Sequence, residues 1–243
     1  MFHCGAEFNS DKSKCSSLWS YFRGMKNLLV FCFFLSGWGL WAQEVPVFQG
    51  KVVYSIVPPA ELPHLASQMP STMILYFKGN DVRTVVPSAD STQPAAILLA
   101  IAEDRKVYIF SEGNKSGLTL SAHDNWKMAG GLKKSDVDEV ADGTPCAAVT
   151  GFLETGNGIR IDVKGCSDPQ WEIAPKADYR TGNQILNGIP AGLQYMPLGM
   201  DIVQTIGLQK ITFHIERLSL EPGVLEEALF ALPTDITFEA IKR

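Results

Sequence analysis

Residues able to do acid–base or nucleophilic chemistry are few in this chain, and their spacing matches no catalytic motif. His123 and Asp124 are the one adjacent base and acid, and they would need a serine brought beside them by the fold. The sequence has no Gly-x-Ser-x-Gly nucleophile turn, no phosphate-binding loop ending in Gly-Lys-Ser and no His-Glu-x-x-His zinc motif. We therefore expect a protein that is not an enzyme.

Candidate metal ligands are equally sparse. His64, His123 and His214 are far apart in the sequence and lack the short spacing of a zinc site. The acidic run Asp136–Asp142 resembles a calcium-binding loop, but Val140 occupies a position where such a loop needs an oxygen ligand. We predict no metal site and no other cofactor.

The segment Met25–Gln43 predicts the compartment in which the chain works. Lys26 gives a positive start, Leu28–Leu35 is an unbroken apolar run, and the residues after it are mostly small or polar, as in a secretory signal peptide. The apolar run is well short of the roughly 20 residues that a membrane-spanning helix needs. We therefore expect export to the periplasm or cell envelope.

Residues 1–24 show no apolar periodicity, and we interpret them as a mis-assigned start or an extended leader. Residues 1–43 hold four of the 21 Lys and Arg and two of the 26 Asp and Glu, so residues 44–243 carry a net charge near −7. This charge, without a cluster of Lys and Arg, argues against nucleic acid as a partner. We expect contact with a membrane to be peripheral at most, and about 200 residues fit a single β-rich domain.

Cys146 and Cys166 are the two cysteines that lie beyond the signal segment. Residues 147–154 and 159–164 alternate as strands around a Thr-Gly-Asn-Gly turn, so a hairpin places the two cysteines opposite each other. Opposed Cβ atoms lie about 4.5–5.5 Å apart, which is close to disulfide range. In an exported chain this predicts a structural disulfide, with two separate buried thiols as the alternative.

Alternating apolar residues predict strands along most of residues 44–243, including 48–56, 73–78, 81–86, 106–111 and 211–216. The pattern predicts ten or eleven strands in all, spaced as in an antiparallel barrel or sandwich.

Other segments depart from this alternation. The continuous apolar run 95–102 fits a strand buried on both faces better than a helix. Short helices are predicted at 60–68 and 225–230, the latter before a last strand at 236–241. The polar segment 132–144 is interpreted as an exposed loop.

Several short motifs occur in a recognisable order: Phe-Gln-Gly-Lys-Val-Val-Tyr at 48–54, Gln-Met-Pro at 68–70, Leu-Tyr-Phe-Lys-Gly-Asn-Asp-Val-Arg at 75–83 and Leu-Phe-Ala-Leu-Pro at 229–233. In this order the chain resembles an exported domain family of unknown function that is common in Bacteroidetes and is similar to the lipoprotein carriers LolA and LolB. The chain departs from that family at Gly143-Thr144-Pro145-Cys146, where a glycine and an aromatic usually precede the cysteine. The resemblance implies a mostly β fold, an incomplete antiparallel β-barrel of LolA type with a few short helices.

This resemblance also implies a ligand, because the concavity of the carriers receives acyl chains. We expect the protein to bind a lipid or a lipoprotein acyl chain against the apolar side chains of the sheet and of the segment before its last long strands. The expected ligand-binding residues are Tyr54, Ile56, Leu75, Phe77, Ile109, Leu193, Tyr195, Met196 and Phe213. The alternative is a structural or interaction protein in which the same residues fill an ordinary core.

The segment Asn183–Met200 has many apolar residues between glycines and prolines, which predict irregular structure over most of it. We interpret it either as a mobile lid over the open edge of the sheet or as a fixed plug that completes the core.

Processing of the signal segment gives the first testable prediction. Cleavage after Ala42 or Gln43 leaves Gln43 or Glu44 as the first residue of the exported protein, because small and polar residues follow the apolar run. N-terminal sequencing of the protein from its native envelope measures this directly. Retention of Met25 in the membrane fraction would contradict it.

Overall fold

The computed structural model describes residues 45–59, 62–63, 67–121, 129–141, 144–154, 159–174 and 193–241. Within these residues it contains a short 3-10 helix at Glu227–Phe230 and a single β-sheet of twelve strands. The strands are β1 Gly50–Val57, β2 Thr72–Lys78, β3 Asp81–Val86, β4 Ala96–Ile101, β5 Lys106–Ser111, β6 Ser116–Ser121, β7 Ala129–Ala141, β8 Thr144–Glu154, β9 Arg160–Glu172, β10 Tyr195–Ile206, β11 Gln209–Pro222 and β12 Thr237–Ala240. The mostly β fold predicted from the sequence is confirmed.

The sheet is open, and two antiparallel meanders build it. Its strand order is β12-β6-β5-β4-β3-β2-β1-β11-β10-β9-β8-β7, so β1 to β6 form one meander and β7 to β11 the other. The two meanders join where β1 pairs antiparallel with β11. The last strand, β12, pairs parallel with β6 and ends the sheet on that side.

The larger apolar cluster of the protein covers one face of this sheet, which we call the inner face. In β1 and β2 the side chains alternate between buried and half-buried, and Val52, Tyr54, Met73 and Leu75 are fully buried on the inner face. Strands β1 to β5 and β8 to β11 all contribute buried side chains to the cluster. Alternation with a period of two therefore produces one continuous apolar surface across both meanders.

Strand β4 is buried on both sides. Leu98 and Ala100 pack in the inner cluster, whereas Ile97 and Leu99 pack in a second cluster on the opposite, outer face. This confirms the prediction for the continuous apolar run 95–102. The run is continuously apolar because each face of β4 packs against its own apolar cluster.

The C-terminal segment covers the outer face over β3 to β6. Phe230 of the 3-10 helix is buried there, and the Phe238 ring meets the rings of Tyr108 and Phe110 edge-on at 5.2 and 5.8 Å between centroids. Arg83 of β3 holds the segment to the sheet, because its Nη1 donates a hydrogen bond to the Leu229 carbonyl at 2.9 Å. The predicted helical turn and last strand are confirmed at 227–230 and 237–240.

Two segments predicted to be irregular are strands. The polar segment 132–144 was predicted as a loop, which is wrong, because residues 129–141 pair with β8 as β7. An end strand can form without strong apolar alternation, because its backbone hydrogen bonds to one neighbouring strand hold it in the sheet. A shift in register between Lys134 and Asp138 further obscures its period.

The prediction for Asn183–Met200 is also wrong over its last six residues. Residues 195–200 form the first half of β10, which is hydrogen-bonded to β9 on one side and to β11 on the other. Register shifts at Tyr195/Met196 and Pro197/Gly199 accommodate Pro197, which has no backbone N–H to donate. The leader and signal segment, most of the helix predicted at 60–68, and residues 183–192 lie outside the described residues.

Cys146 and Cys166 form the predicted disulfide, with Cα atoms 5.6 Å apart. Their positions in the hairpin differ from the prediction, because Cys166 stands opposite Ala148, not opposite Cys146. The hairpin closes with Glu154 opposite Arg160, so its centre is one residue later than expected. The two cysteines remain diagonal neighbours on the same face, which keeps them within bonding range.

Two glycines that are diagonal neighbours on β9 and β10 make a matched test of this packing. A Cβ on Gly165 would lie 2.3 Å from the Gly199 carbonyl oxygen, whereas a Cβ on Gly199 would meet only the Ile215 carbonyl oxygen at 3.6 Å. We expect Gly165→Ala to lower the free energy of unfolding by about 1–3 kcal/mol, since the clash is with backbone. Gly199→Ala serves as the control and should be nearly neutral in urea denaturation. Equal stability of the two variants would contradict the packing.

Candidate functional site

The residues expected to bind a ligand come together on the inner face. Of the nine, Tyr54 and Ile56 lie on β1, Leu75 and Phe77 on β2, and the others follow on β5, before and within β10, and on β11. The inner cluster contains Tyr54, Ile56, Leu75, Phe77, Leu193, Met196 and Phe213 as buried members and Ile109 as a half-buried one. Tyr195, at the start of β10 opposite Glu172, is half-buried and stands apart from the cluster.

These side chains are packed against other protein atoms in the described conformation. Tyr54, Leu75 and Met196 each have 0% relative exposure. A side chain with no accessible surface cannot border a water-filled cavity, so no open space touches these three residues. A ligand that contacted them would have to displace the side chains or the chain segments that now cover them.

The position of Met196 bears on the choice between a lid and a fixed plug. Met196 pairs with Asp168 of β9, whereas the pairing of β10 with β11 begins only at Gly199. Moving Met196 would break its pairing with β9 and expose a side chain that has 0% exposure, which costs more than moving a surface segment. For residues 195–200 the structure therefore supports the fixed alternative over the lid.

A buried polar group lies within this apolar surface. The Tyr54 hydroxyl donates to the Pro197 carbonyl at 3.1 Å, and Arg217 stands opposite Tyr54 in the pairing of β1 with β11. The Arg217 Nη2 atom donates to Asp168 Oδ2 at 2.9 Å, and Asp168 Oδ1 accepts from the Gln170 backbone N–H at 3.1 Å. The pair ties β11 to β9 across the intervening strand β10.

Burial raises the pKa of the Tyr54 hydroxyl well above its ordinary value; the Arg217 guanidinium opposes this rise and the Asp168 carboxylate adds to it. Tyr54 is therefore a neutral hydrogen-bond donor at neutral pH. Its hydroxyl fixes the irregular stretch of β10 around Pro197, where backbone hydrogen bonding is interrupted.

The buried position of Arg217 was not predicted, although the sequence pattern around it indicates such a position. Ile211, Phe213 and Ile215 occupy alternate positions, and Phe213 and Ile215 point into the inner cluster. Arg217 continues this alternation, so it is a charged residue at a position with core periodicity. Such a residue needs a buried partner. Its partner Asp168 lies 49 residues away in sequence, which no local pattern reveals.

The remaining polar groups do not assemble a known catalytic or metal centre within the described part of the chain. His214 is half-buried and its Nδ1 lies 2.8 Å from Asp201 Oδ1, while His64 and His123 lie outside the described residues. Among the described residues no three His, Cys, Asp or Glu side chains are grouped to hold a metal ion. No helix within the described ranges is long and apolar enough to cross a lipid bilayer.

Comparison of the chain with protein-family models finds no match, and a search of curated proteins finds no similar sequence either. The resemblance to the exported family and to the LolA and LolB carriers therefore stays a prediction from the sequence motifs.

The buried ion pair gives a stability prediction. We expect Asp168→Leu or Arg217→Met to lower the free energy of unfolding by about 3–5 kcal/mol, because each leaves an uncompensated buried charge. The double variant Asp168→Leu with Arg217→Met should recover most of this loss, since it removes both charges together. Denaturant unfolding of the four proteins measures the coupling. Additive losses in the double variant would show that the two residues act independently.

Proposed function

We propose that the protein is a non-enzymatic, exported protein of the cell envelope that binds a lipid or a lipoprotein acyl chain against the inner face of its sheet. The observation that carries this proposal is the continuous apolar surface that β1 to β5 and β8 to β11 share on the inner face. The ligand is an acyl chain because hydrocarbon complements such a surface without needing paired polar groups.

The form of the sheet supports the same proposal. The described sheet is open, since β7 and β12 stand at opposite ends of the strand order. We propose that it curls as an incomplete barrel of LolA type, which would leave one side through which an acyl chain enters. Export follows from the signal segment, and the negative charge of residues 44–243 argues against nucleic acid as a ligand and against stable association with anionic membrane surfaces.

A second candidate is a structural or interaction protein without a ligand. The complete burial of Tyr54, Leu75 and Met196 favours it, because a filled core leaves no volume for a guest. The two candidates differ in one measurable property. An acyl-binding protein is stabilised by its ligand, whereas a filled core is not.

Ligand-dependent stability therefore tests the proposal. We expect native mass spectrometry of the protein from its own envelope to show a bound lipid, and a fatty acid to raise the unfolding midpoint of the stripped protein. A ligand present at 100 times its dissociation constant adds about 2.7 kcal/mol of stability. Wild-type protein that carries only the mass of its polypeptide, with an unchanged midpoint at saturating fatty acid, would support the filled core.

A matched pair of variants locates the ligand. Ile109 is half-buried on the inner face, so Ile109→Lys places a charge beside the proposed acyl chain while its flexible stem still reaches solvent. Leu208 is fully exposed between β10 and β11, so Leu208→Lys makes the same kind of change away from that face. The fatty-acid shift should be lost in Ile109→Lys and kept in Leu208→Lys. An equal shift in both would place the ligand elsewhere.

A further inference from the structure

An open cleft lies on the outer face of the sheet, where β9, β10 and β11 run side by side. It is a cleft of about 580 Å³, lined among others by Lys164, Asp201, His214 and Glu216. These residues alternate with Val163, Met200, Ile202, Phe213 and Ile215 of the inner cluster, so their side chains point away from it. The volume falls within the roughly 300–1,000 Å³ of ordinary small-molecule sites.

The cleft exists because one position on its floor has no side chain. Gly199 stands opposite both Cys166 of β9 and Glu216 of β11, in the middle strand of the three. A Cβ at Gly199 would meet only the Ile215 carbonyl oxygen, at 3.6 Å, so the space above it is open. Its backbone does not have a positive φ, so a larger residue fits the backbone there without strain.

One end of the cleft carries opposite charges in a row. Lys164 stands opposite Asp201, and Asp201 stands opposite His214, with the Asp201 and His214 side chains 2.8 Å apart at Oδ1 and Nδ1. Glu216 lies two residues further along β11, on the same face. Within the described ranges neither Lys164 nor Glu216 forms a salt bridge. A cation and an anion are thus both available to a ligand.

The other end of the cleft is apolar. Leu218 is 59% exposed at the register shift between β11 and β1, and Leu198 lies beside it at the register shift of β10. Both leucines line the cleft. Together the two leucines give the cleft an apolar edge. The cleft therefore offers a polar and an apolar half to one molecule.

We propose that this outer cleft is a binding site for a single-chain amphiphile with a zwitterionic, phosphoethanolamine-type head. The phosphate group lies at Lys164 and the ammonium group lies at Glu216, while the Asp201 carboxylate is already hydrogen-bonded to His214. The head sits above Gly199, and the start of the hydrocarbon chain lies on Leu198 and Leu218. This site is separate from the inner face, because the two are on opposite sides of the sheet.

Isothermal titration with three soluble probes, below their micelle concentrations, tests the ligand class on the purified protein. Lysophosphatidylethanolamine carries both the head and the chain, lysophosphatidylglycerol lacks the ammonium group, and glycerophosphoethanolamine lacks the chain. We expect the first to bind at least about tenfold more tightly than either of the others, since each of those loses one half of the contacts. Equal affinity for all three, or no binding of the first, would overturn the proposal.

Two variants with matched controls place the probe in the cleft. Gly199→Leu fills the hollow, and we expect it to weaken lysophosphatidylethanolamine binding about tenfold or more, whereas Gly223→Leu adds the same side chain at a position with nothing within 4 Å. Glu216→Gln should reduce the preference over lysophosphatidylglycerol about three- to tenfold. Glu221→Gln, on the same strand but paired with Lys51, should not change it.

Two further measurements complete the experiment: the stability of Gly199→Leu and the probe binding of the inner-face variant Ile109→Lys. The unfolding midpoint of Gly199→Leu should match that of the wild type, so that a loss of binding reports the cleft and not the fold. If Ile109→Lys abolishes lysophosphatidylethanolamine binding while Gly199→Leu leaves it intact, the probe occupies the inner face. That result would overturn the outer cleft and leave the proposed function standing.

Discussion

The pairing of β1 with β11 is the contact on which the rest of the structure depends. It joins residues as distant as Gly50 and Pro222, and it is the single junction between the two meanders of the described sheet. Bringing such distant strands together carries a loop-closure cost that local hairpins do not have. The burial of Val52 and Tyr54 at this junction offsets that cost, because both side chains have 0% exposure.

The irregularity of this junction also positions the polar groups of the molecule. A register shift between Val53 and Tyr54 brings Arg217 opposite Tyr54 and leaves Leu218 exposed beside it. A neighbouring shift in β10 lets Pro197 offer its carbonyl to the Tyr54 hydroxyl. The position of the buried ion pair and the exposed Leu218 at the edge of the outer cleft therefore have the same origin. A perfectly regular pairing of these strands would have produced neither.

Local periodicity was enough to predict most of the strands but not the places where the sheet is irregular. β1, β2, β3 and β5 show clear alternation and β4 is a continuous apolar run, so their prediction needed only neighbouring residues. β7 and the start of β10 were missed because a register shift interrupts the period of two in each, and because pairing with a neighbouring strand overrides local composition. The apolar residues of the candidate site were found for the same reason as the strands. Asp168 and Arg217 were not predicted, because they form an ion pair between residues that are 49 positions apart in the sequence.

An open sheet of this size also has two faces that need cover or polar side chains, and two end strands that must not pair with other chains. Over β3 to β6 the C-terminal segment covers the outer face, and β12 pairs with β6 as a strand of only four residues. At the other end of the described sheet, β7 has a register shift within a Lys- and Asp-rich sequence, and both features discourage pairing with foreign strands. Over β9 to β11 the outer face has charged residues that need no such cover. The unfilled hollow at Gly199 lies on that face, where a side chain would fit and none is present, so its openness is not a requirement of the fold.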